Sequence, residues 1–217
     1  MAITARIGTD EAGKGDFFGP LVVAAVWADA TAETLFQNIG VTDSKKLTDN
    51  RARTLARQIV DSKIPTTLVV IGPAKYNELH TKMRNLNRLL AWGHARAIEN
   101  ILEMRQAPLA IADQFGDESL ITNALMKNGK DIELHQMHRG ESESVVAAAS
   151  ILARAEFLRR LSMLGSQIGV TLPKGAGPPV DTAGAQILRR GGMDLLATVA
   201  KCHFKNTQKA QRLLVTS

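Results

Sequence analysis

A single cysteine, Cys202, is all that the 217 residues contain. One thiol cannot close an internal disulfide, so the stapled scaffolds of small secreted domains are excluded, and a cysteine-rich structural zinc site with them. Long apolar runs are missing as well. The most apolar early stretch, Phe17 to Ala28, stops at Asp29, far short of the ~20 residues that span a bilayer. The opening "MAITARIGTDE" lacks the basic-then-apolar order of a signal peptide. These absences lead us to expect a cytoplasmic protein with no membrane partner. "GKG" at positions 13–15 has neither the spacing of a P-loop nor its serine or threonine, which removes that nucleotide-binding class. There is no internal repeat, no low-complexity tract and no linker long enough to mark a second domain. Residues 1–217 therefore read as one domain, with a C-terminal helical part from about residue 166.

What is present is ordinary in apolar content, at 45%, and basic in balance, with 27 Lys and Arg against 21 Asp and Glu. The formal charge of +6 favours a polyanionic partner. "ITARIGTD" reads as a first strand. "PLVVAAVWAD" reads as a second, apolar on both faces and therefore central. A helix follows "TDSKK", capped by Thr48 or Asp49, with Leu55, Ile59 and Val60 on its apolar face. "PTTLVVIG" is a third strand that stops at Gly-Pro. The stripe from Leu86 to Leu102 predicts a long helix, with Trp92 in its core. "APLAIADQFG" and "KDIELHQM" are the fourth and fifth strands. "SVVAAASILARAEFLRRLSML" is a helix whose Ala-rich start packs closely on a neighbour. Shorter helices are expected at "TAGAQILRR" and "MDLLATVAK", then a polar tail from Asn206. Such an order suits an α/β fold, a mixed five-stranded sheet with helices on its faces.

Acids stand at two of the strand ends, Asp10 with Glu11 and then Asp113. Adjacent residues of a strand point to opposite faces, so solvation is one reading. The other is that these carboxylates, with Glu141 or Glu143 from "HRGESES", converge on divalent cations, which require several oxygen ligands.

Taken together, "GTDEAGKGDFFGPLVVAAV", "DSKKLTD", "ADQFG", "ESVVAAASILAR", "LPKGA" and "HFKNTQKA" resemble, in that order and across nearly the whole chain, the type 2 ribonucleases H. Ribonuclease HIII is the most similar, because ribonuclease HII usually carries "GRG" where Gly13-Lys14-Gly15 stands. The resemblance implies the ribonuclease H-like fold and, as partner, an RNA–DNA hybrid whose RNA strand is cleaved with two divalent ions, Mg²⁺ or Mn²⁺, to 5′-phosphate and 3′-hydroxyl ends. It assigns Asp10, Glu11 and Asp113 as catalytic and metal-binding acids. The fourth is Glu141, one residue nearer Ser150 than the family pattern, with Glu143 as the alternative. Asp10 is implied as the bridging ligand, and Glu11 as an acceptor for the ribose 2′-hydroxyl. Gly13, Lys14 and Gly15 would line the minor groove. Lys45, Lys46, Arg139 and Lys174 are candidate phosphate contacts. His138 and His203 are candidates for proton transfer, with structural hydrogen bonding as the other reading.

Two departures from the family set further expectations. Typical ribonuclease HIII has an extra N-terminal domain, for which an acid at position 10 leaves no room. Ribonuclease HII reads a lone ribonucleotide through a tyrosine downstream of the Ala-rich helix, whereas Tyr76, the sole tyrosine here, lies well upstream. Cleavage of continuous hybrid is expected over incision at an embedded ribonucleotide. A ribonuclease HII-type incision and a non-catalytic hybrid-binding module are the alternatives. Nothing in the pattern demands an oligomer, and a monomer is expected.

Overall fold

The computed structural model describes residues 4–215 except 115, 118, 138 and 139, with backbone alone for 141 and 215. Its elements run β1 (Arg6–Ala12), β2 (Leu21–Ala28), α1 (Ala30–Ile39), α2 (Asp49–Asp61), β3 (Thr66–Ile71), α3 (Pro73–Met83), α4 (Leu86–Met104), β4 (Leu109–Asp113), α5 (Ser119–Ala124), β5 (Glu133–Met137), α6 (Ser144–Ile168), α7 (Pro178–Val199) and α8 (Asn206–Val215). The five strands form one mixed sheet in the order β3-β2-β1-β4-β5. β1 runs parallel to β4, and β4 to β5. That is the fold class expected from the sequence.

The chain divides into two compact units. The first comprises residues 1–11, 22–69 and 85–155 and holds most of the sheet. All eight side chains of β2 are buried, as an unbroken apolar run on a central strand requires. Ile7, Val23, Ala25 and Trp27 from the strands pack with Ala91, Ala95, Ile98, Ile101 and Leu102 of α4. Trp92 departs from the expectation: it is 37% exposed. It shares the outward stripe of α4 with Arg96, Asn100 and Glu103, at helical spacing. In α2, capped by the Thr48 hydroxyl accepting from the Arg51 N–H, Leu55 and Ile59 are buried but Val60 is exposed.

The Ala-rich start of α6 lies close against β1, as its small residues foretold. A methyl group on Gly8 would stand 2.5 Å from the Val145 carbonyl carbon and 2.6 Å from the Val146 nitrogen. Because the obstacle is backbone, no rotamer change relieves it. Gly8→Ala is expected to cost about 1–3 kcal/mol, a melting-temperature loss of roughly 2–12 °C for a chain of this size. A thermal melt matching wild type would contradict this packing.

The second unit comprises residues 12–21, 70–84 and 156–217. It contains α3, the later turns of α6, α7 and α8. α7 is broken at Gly191 and Gly192, which separates the two short helices anticipated there. The segment from Asn206 is the helix α8 rather than a polar tail. It buries Asn206, Thr207 and Ala210, small or polar groups that leave little apolar signal. α1, α3 and the short α5 had no counterpart among the sequence expectations. No helix of the described residues is long and apolar enough to cross a membrane.

Candidate active site

β1 does not end at its acids. It continues to Ala12, so successive side chains from Gly8 to Glu11 alternate between the faces of the sheet. Gly8 faces α6, and Asp10 shares that face. Thr9 and Glu11 lie on the other, where both meet His94 of α4.

The parallel register pairs Thr9 with Ala112, which puts Asp10 level with Asp113 on the neighbouring strand, about 4.8 Å away between strand axes. Desolvation pushes the Asp10 carboxyl well above the usual carboxylate range, and the nearby charges of Glu11 and Asp113 push it further. The Glu11 N–H, donating to Asp10 Oδ1 at 2.8 Å, opposes this, as does Lys45. The structure thus brings Lys45 of the "DSKKL" loop into the electrostatic surroundings of the acids.

Asp113 also accepts a hydrogen bond from the Gly140 N–H at 3.0 Å. A Cβ on Gly140 would lie 3.1 Å from the Asp113 backbone, so this contact needs glycine. It seats the short helical turn Gly140–Ser142, and with it the backbone of Glu141, against the third acid. Glu143 lies elsewhere: its Oε2 is 3.5 Å from Nη2 of Arg6, at the far end of β1. Lys46 lines a cavity of about 460 Å³ with Val41, Thr42, Asp43, Ser142 and Ser144. Among the described residues, no three His, Cys, Asp or Glu side chains form a metal cage by themselves. The Glu141 side chain, His138 and Arg139 lie outside the described residues.

The remaining predicted contacts fall in the second unit. Gly13 has φ +87°, and any Cβ there would meet the Pro20 carbonyl at 2.2 Å, so the turn carrying Lys14 and Gly15 is built on glycine. This turn is tied to the "LPKGA" loop. The Phe17 N–H donates to the Gly175 carbonyl at 2.9 Å, and the Gly175 N–H to Asp16 Oδ1 at 2.6 Å. Lys14 and Lys174 therefore sit on two loops that are held together. Lys201, fully buried, anchors the first of these loops: its Nζ donates to the carbonyls of Asp16 at 2.8 Å and Gly19 at 2.7 Å. Burial pulls its pKa down to about 7 against the Asp16 charge.

His203 stacks on His80 with centroids 4.0 Å apart and on Tyr76 at 5.5 Å. Burial, then His80 and Lys201, pull it down to about 4. The contacts described for it are ring stacking, where the structural reading anticipated a hydrogen bond. Tyr76 is fully buried in α3, and burial raises its hydroxyl to about 12.

Sequence reasoning missed His94, Thr9, Asp16 and Lys201. For His94 a signal existed: it stands four residues from both Leu90 and Ile98, on the buried face of α4.

Comparison with known proteins bears on the family of the chain. The family model described as Ribonuclease HII matches residues 7–207. Ribonuclease HIII of Protochlamydia amoebophila is 45% identical over 203 residues, 94% of this chain and 67% of that protein. Ribonuclease HIII of Bacillus licheniformis is 41% identical over 214 residues, 95% and 67% of the two chains. Among solved structures, Bst-RNase HIII in complex with Mn²⁺ superposes with a TM-score of 0.92 at 34% identity, covering 99% of this chain and 71% of that one. The ribonuclease H2 of Pyrococcus horikoshii OT3, at 21% identity and a TM-score of 0.75, shares the fold.

Proposed function

Because the chain belongs to the type 2 ribonucleases H, and among them to the HIII type, we propose that it hydrolyses the RNA strand of RNA–DNA hybrids at the site built on β1 and β4. The observation that carries this reading is the alignment of Asp10 with Asp113, with the turn of Glu141 hydrogen-bonded to Asp113.

The donor set fits divalent cations. Burial, and then repulsion from Glu11 and Asp113, raises the pKa of Asp10, so an ion that neutralises these carboxylates on adjacent strands would be favoured there. An all-oxygen, anionic set of this kind is what hard divalent ions require. Asp10, Glu11, Asp113 and Glu141 are the residues that would hold two such ions, Mg²⁺ or Mn²⁺; Bst-RNase HIII is known in complex with Mn²⁺. When bound, the ions supply Lewis-acid charge for attack on the phosphodiester, leaving 5′-phosphate and 3′-hydroxyl ends.

The chain's own residues do the rest. Glu11 offers its carboxylate to a ribose 2′-hydroxyl, the group that distinguishes RNA from DNA. Lys45 and Lys46 carry positive charge on the loop beside the acids and are assigned to phosphates. In the second unit, Gly13, Lys14 and Gly15 present backbone groups, and Lys174 a further charge, to the hybrid's backbone and minor groove. That unit holds 13 Lys and Arg against five Asp and Glu, whereas the first holds 14 against 16. The whole excess of positive charge therefore falls in the second unit, which favours a polyanionic partner there. All of residues 1–217 are assigned to this one catalytic task.

Continuous hybrid is the preferred substrate over a lone ribonucleotide in DNA. Tyr76 is buried in α3, and the loop from Thr171 to Pro179 contains no tyrosine. Purified protein would be incubated with Mn²⁺ or Mg²⁺ and two labelled duplexes, one a continuous hybrid, the other DNA carrying one ribonucleotide. Cutting of the hybrid alone is expected. Efficient incision at the lone ribonucleotide would overturn the preference, and binding without cleavage of either would favour a hybrid-binding module.

A further inference from the structure

We propose that His94 is a positioning residue for Glu11, and that Thr9 orients His94 in turn. The inference rests on Glu11 acting as one of the catalytic acids.

Thr9 and His94 are fully buried, and the Glu11 side chain is only 11% exposed. His94 Nδ1 lies 2.9 Å from Thr9 Oγ1, and Nε2 lies 3.2 Å from Glu11 Oε2. An ionised carboxylate only accepts, so Nε2 carries the proton on that side. In the neutral ring Nδ1 is then an acceptor, and the Thr9 hydroxyl must donate to it. Thr9 donates to His94 and His94 to Glu11, which leaves the imidazole one tautomer and one ring orientation. β1 supplies both ends of this relay, because residues 9 and 11 share a face of the strand.

The packing of α4 makes the reach possible. A Cβ on the preceding residue, Gly93, would stand 2.9 Å from Val23 Cγ2, so glycine there lets the helix settle onto the sheet with the imidazole against β1. Space-filling alone does not account for histidine at this position, since a leucine or methionine would fill a buried helix face without two polar atoms to satisfy. What the imidazole adds is a donor at the carboxylate. Fixing that carboxylate matters because displacement of a catalytic group by about 1 Å can cost ~10²-fold in rate.

The test compares wild type with His94→Leu, which keeps bulk and loses the donor, with His94→Gln, whose amide N–H reaches the place of Nε2–H, and with Thr9→Val. Three quantities are read: Mn²⁺ affinity of the nucleic-acid-free protein from the electron paramagnetic resonance signal of unbound Mn²⁺, kcat and KM on continuous hybrid at saturating Mn²⁺, and the melting temperature without metal. His94→Leu is expected to lower Mn²⁺ affinity and kcat by about 10–100-fold, with the KM for hybrid unchanged. His94→Gln should restore most of both, and Thr9→Val should show a smaller loss of the same kind. Wild-type Mn²⁺ affinity and kcat in His94→Leu would overturn the proposal. So would a His94→Gln protein that melts like wild type and yet recovers neither. If His94→Leu does not fold, Thr9→Val decides by its Mn²⁺ affinity, lowered in support or unchanged in contradiction. Should wild type cut no hybrid, the proposed function fails by itself, and the Mn²⁺ affinities of wild type and His94→Leu still decide the positioning role.

Discussion

Asp10→Asn is expected to abolish cleavage and, in the metal-free protein at neutral pH, to raise the melting temperature. Both effects have one origin. Burial, then the charges of Glu11 and Asp113, hold the Asp10 carboxyl above its ordinary value of 3.8. A native pKa above the unfolded one means that the folded protein binds this proton more tightly. The resulting stabilisation is fully present below pH 3.8 and is lost as pH rises toward and through the raised native value, so relative to low pH this buried acid opposes folding at neutral pH. Asparagine removes that charge and keeps Oδ1, which still accepts from the Glu11 N–H. Each kcal/mol so relieved is worth roughly 2–4 °C in a chain of this size. The gain over wild type should shrink as the pH is taken below 4 and when a divalent ion is supplied to wild type. Activity moves the other way. The charge that destabilises the metal-free fold is what would hold the ions, and losing several kcal/mol of transition-state stabilisation lowers the rate by about 10³-fold or more. An Asp10→Asn protein that melts below wild type at pH 7, or that retains cleavage, would contradict this account.

The second large effect separates two neighbouring acids. Glu141→Gln is expected to lower the cleavage rate by about 10²-fold or more, the order seen when one group that stabilises transition-state charge is removed. Glu143→Gln should leave it within about threefold. The Gly140 contact draws the backbone of residue 141 against Asp113. Glu143 instead reaches Arg6, which also pairs with Glu33 at 2.9 Å. Arg6 stands four residues before Asp10, roughly 13 Å along the strand. Losing a partly exposed ion pair of this kind costs ~0.2–1 kcal/mol, so Glu143→Gln should show a slight loss of melting temperature and no catalytic defect. Steady-state rates on continuous hybrid and thermal melts of both variants check the assignment. The reverse pattern would move the fourth acid to Glu143.

Much of this arrangement was legible in the residues because it follows local chemistry. Alternating and unbroken apolar runs marked all five strands, and the acids near the end of β1 and at the end of β4 stood out against them. Spacing in α4 and α6 gave those helices almost to their ends. Where one residue carries two signals, reading failed. Gly72-Pro73 closes β3 and, with proline in its first turn, opens α3; the first meaning hid the second. α8 buries little apolar surface, so its sequence resembles a tail. Trp92 and Val60 were assigned inward from their hydrophobicity, although the phase of each helix turns them outward. His94 illustrates a further limit. Its place on the buried face of α4 was visible, but the strand residues that would satisfy its two nitrogens are 83 and 85 positions away in the chain. Only the tertiary fold reveals them.

The most direct test of the central claim is an analysis of the ends produced from an RNA–DNA hybrid labelled in each strand, with Mn²⁺, with Mg²⁺ and with a chelator, using Asp113→Asn as the control for contaminating nuclease. The account predicts internal cuts in the RNA strand alone, dependent on the divalent ion and absent in the variant, with 3′ ends that a polymerase extends and 5′ ends that carry phosphate. Cleavage that survives the chelator, 2′,3′-cyclic phosphate ends, or cutting of the DNA strand would contradict it.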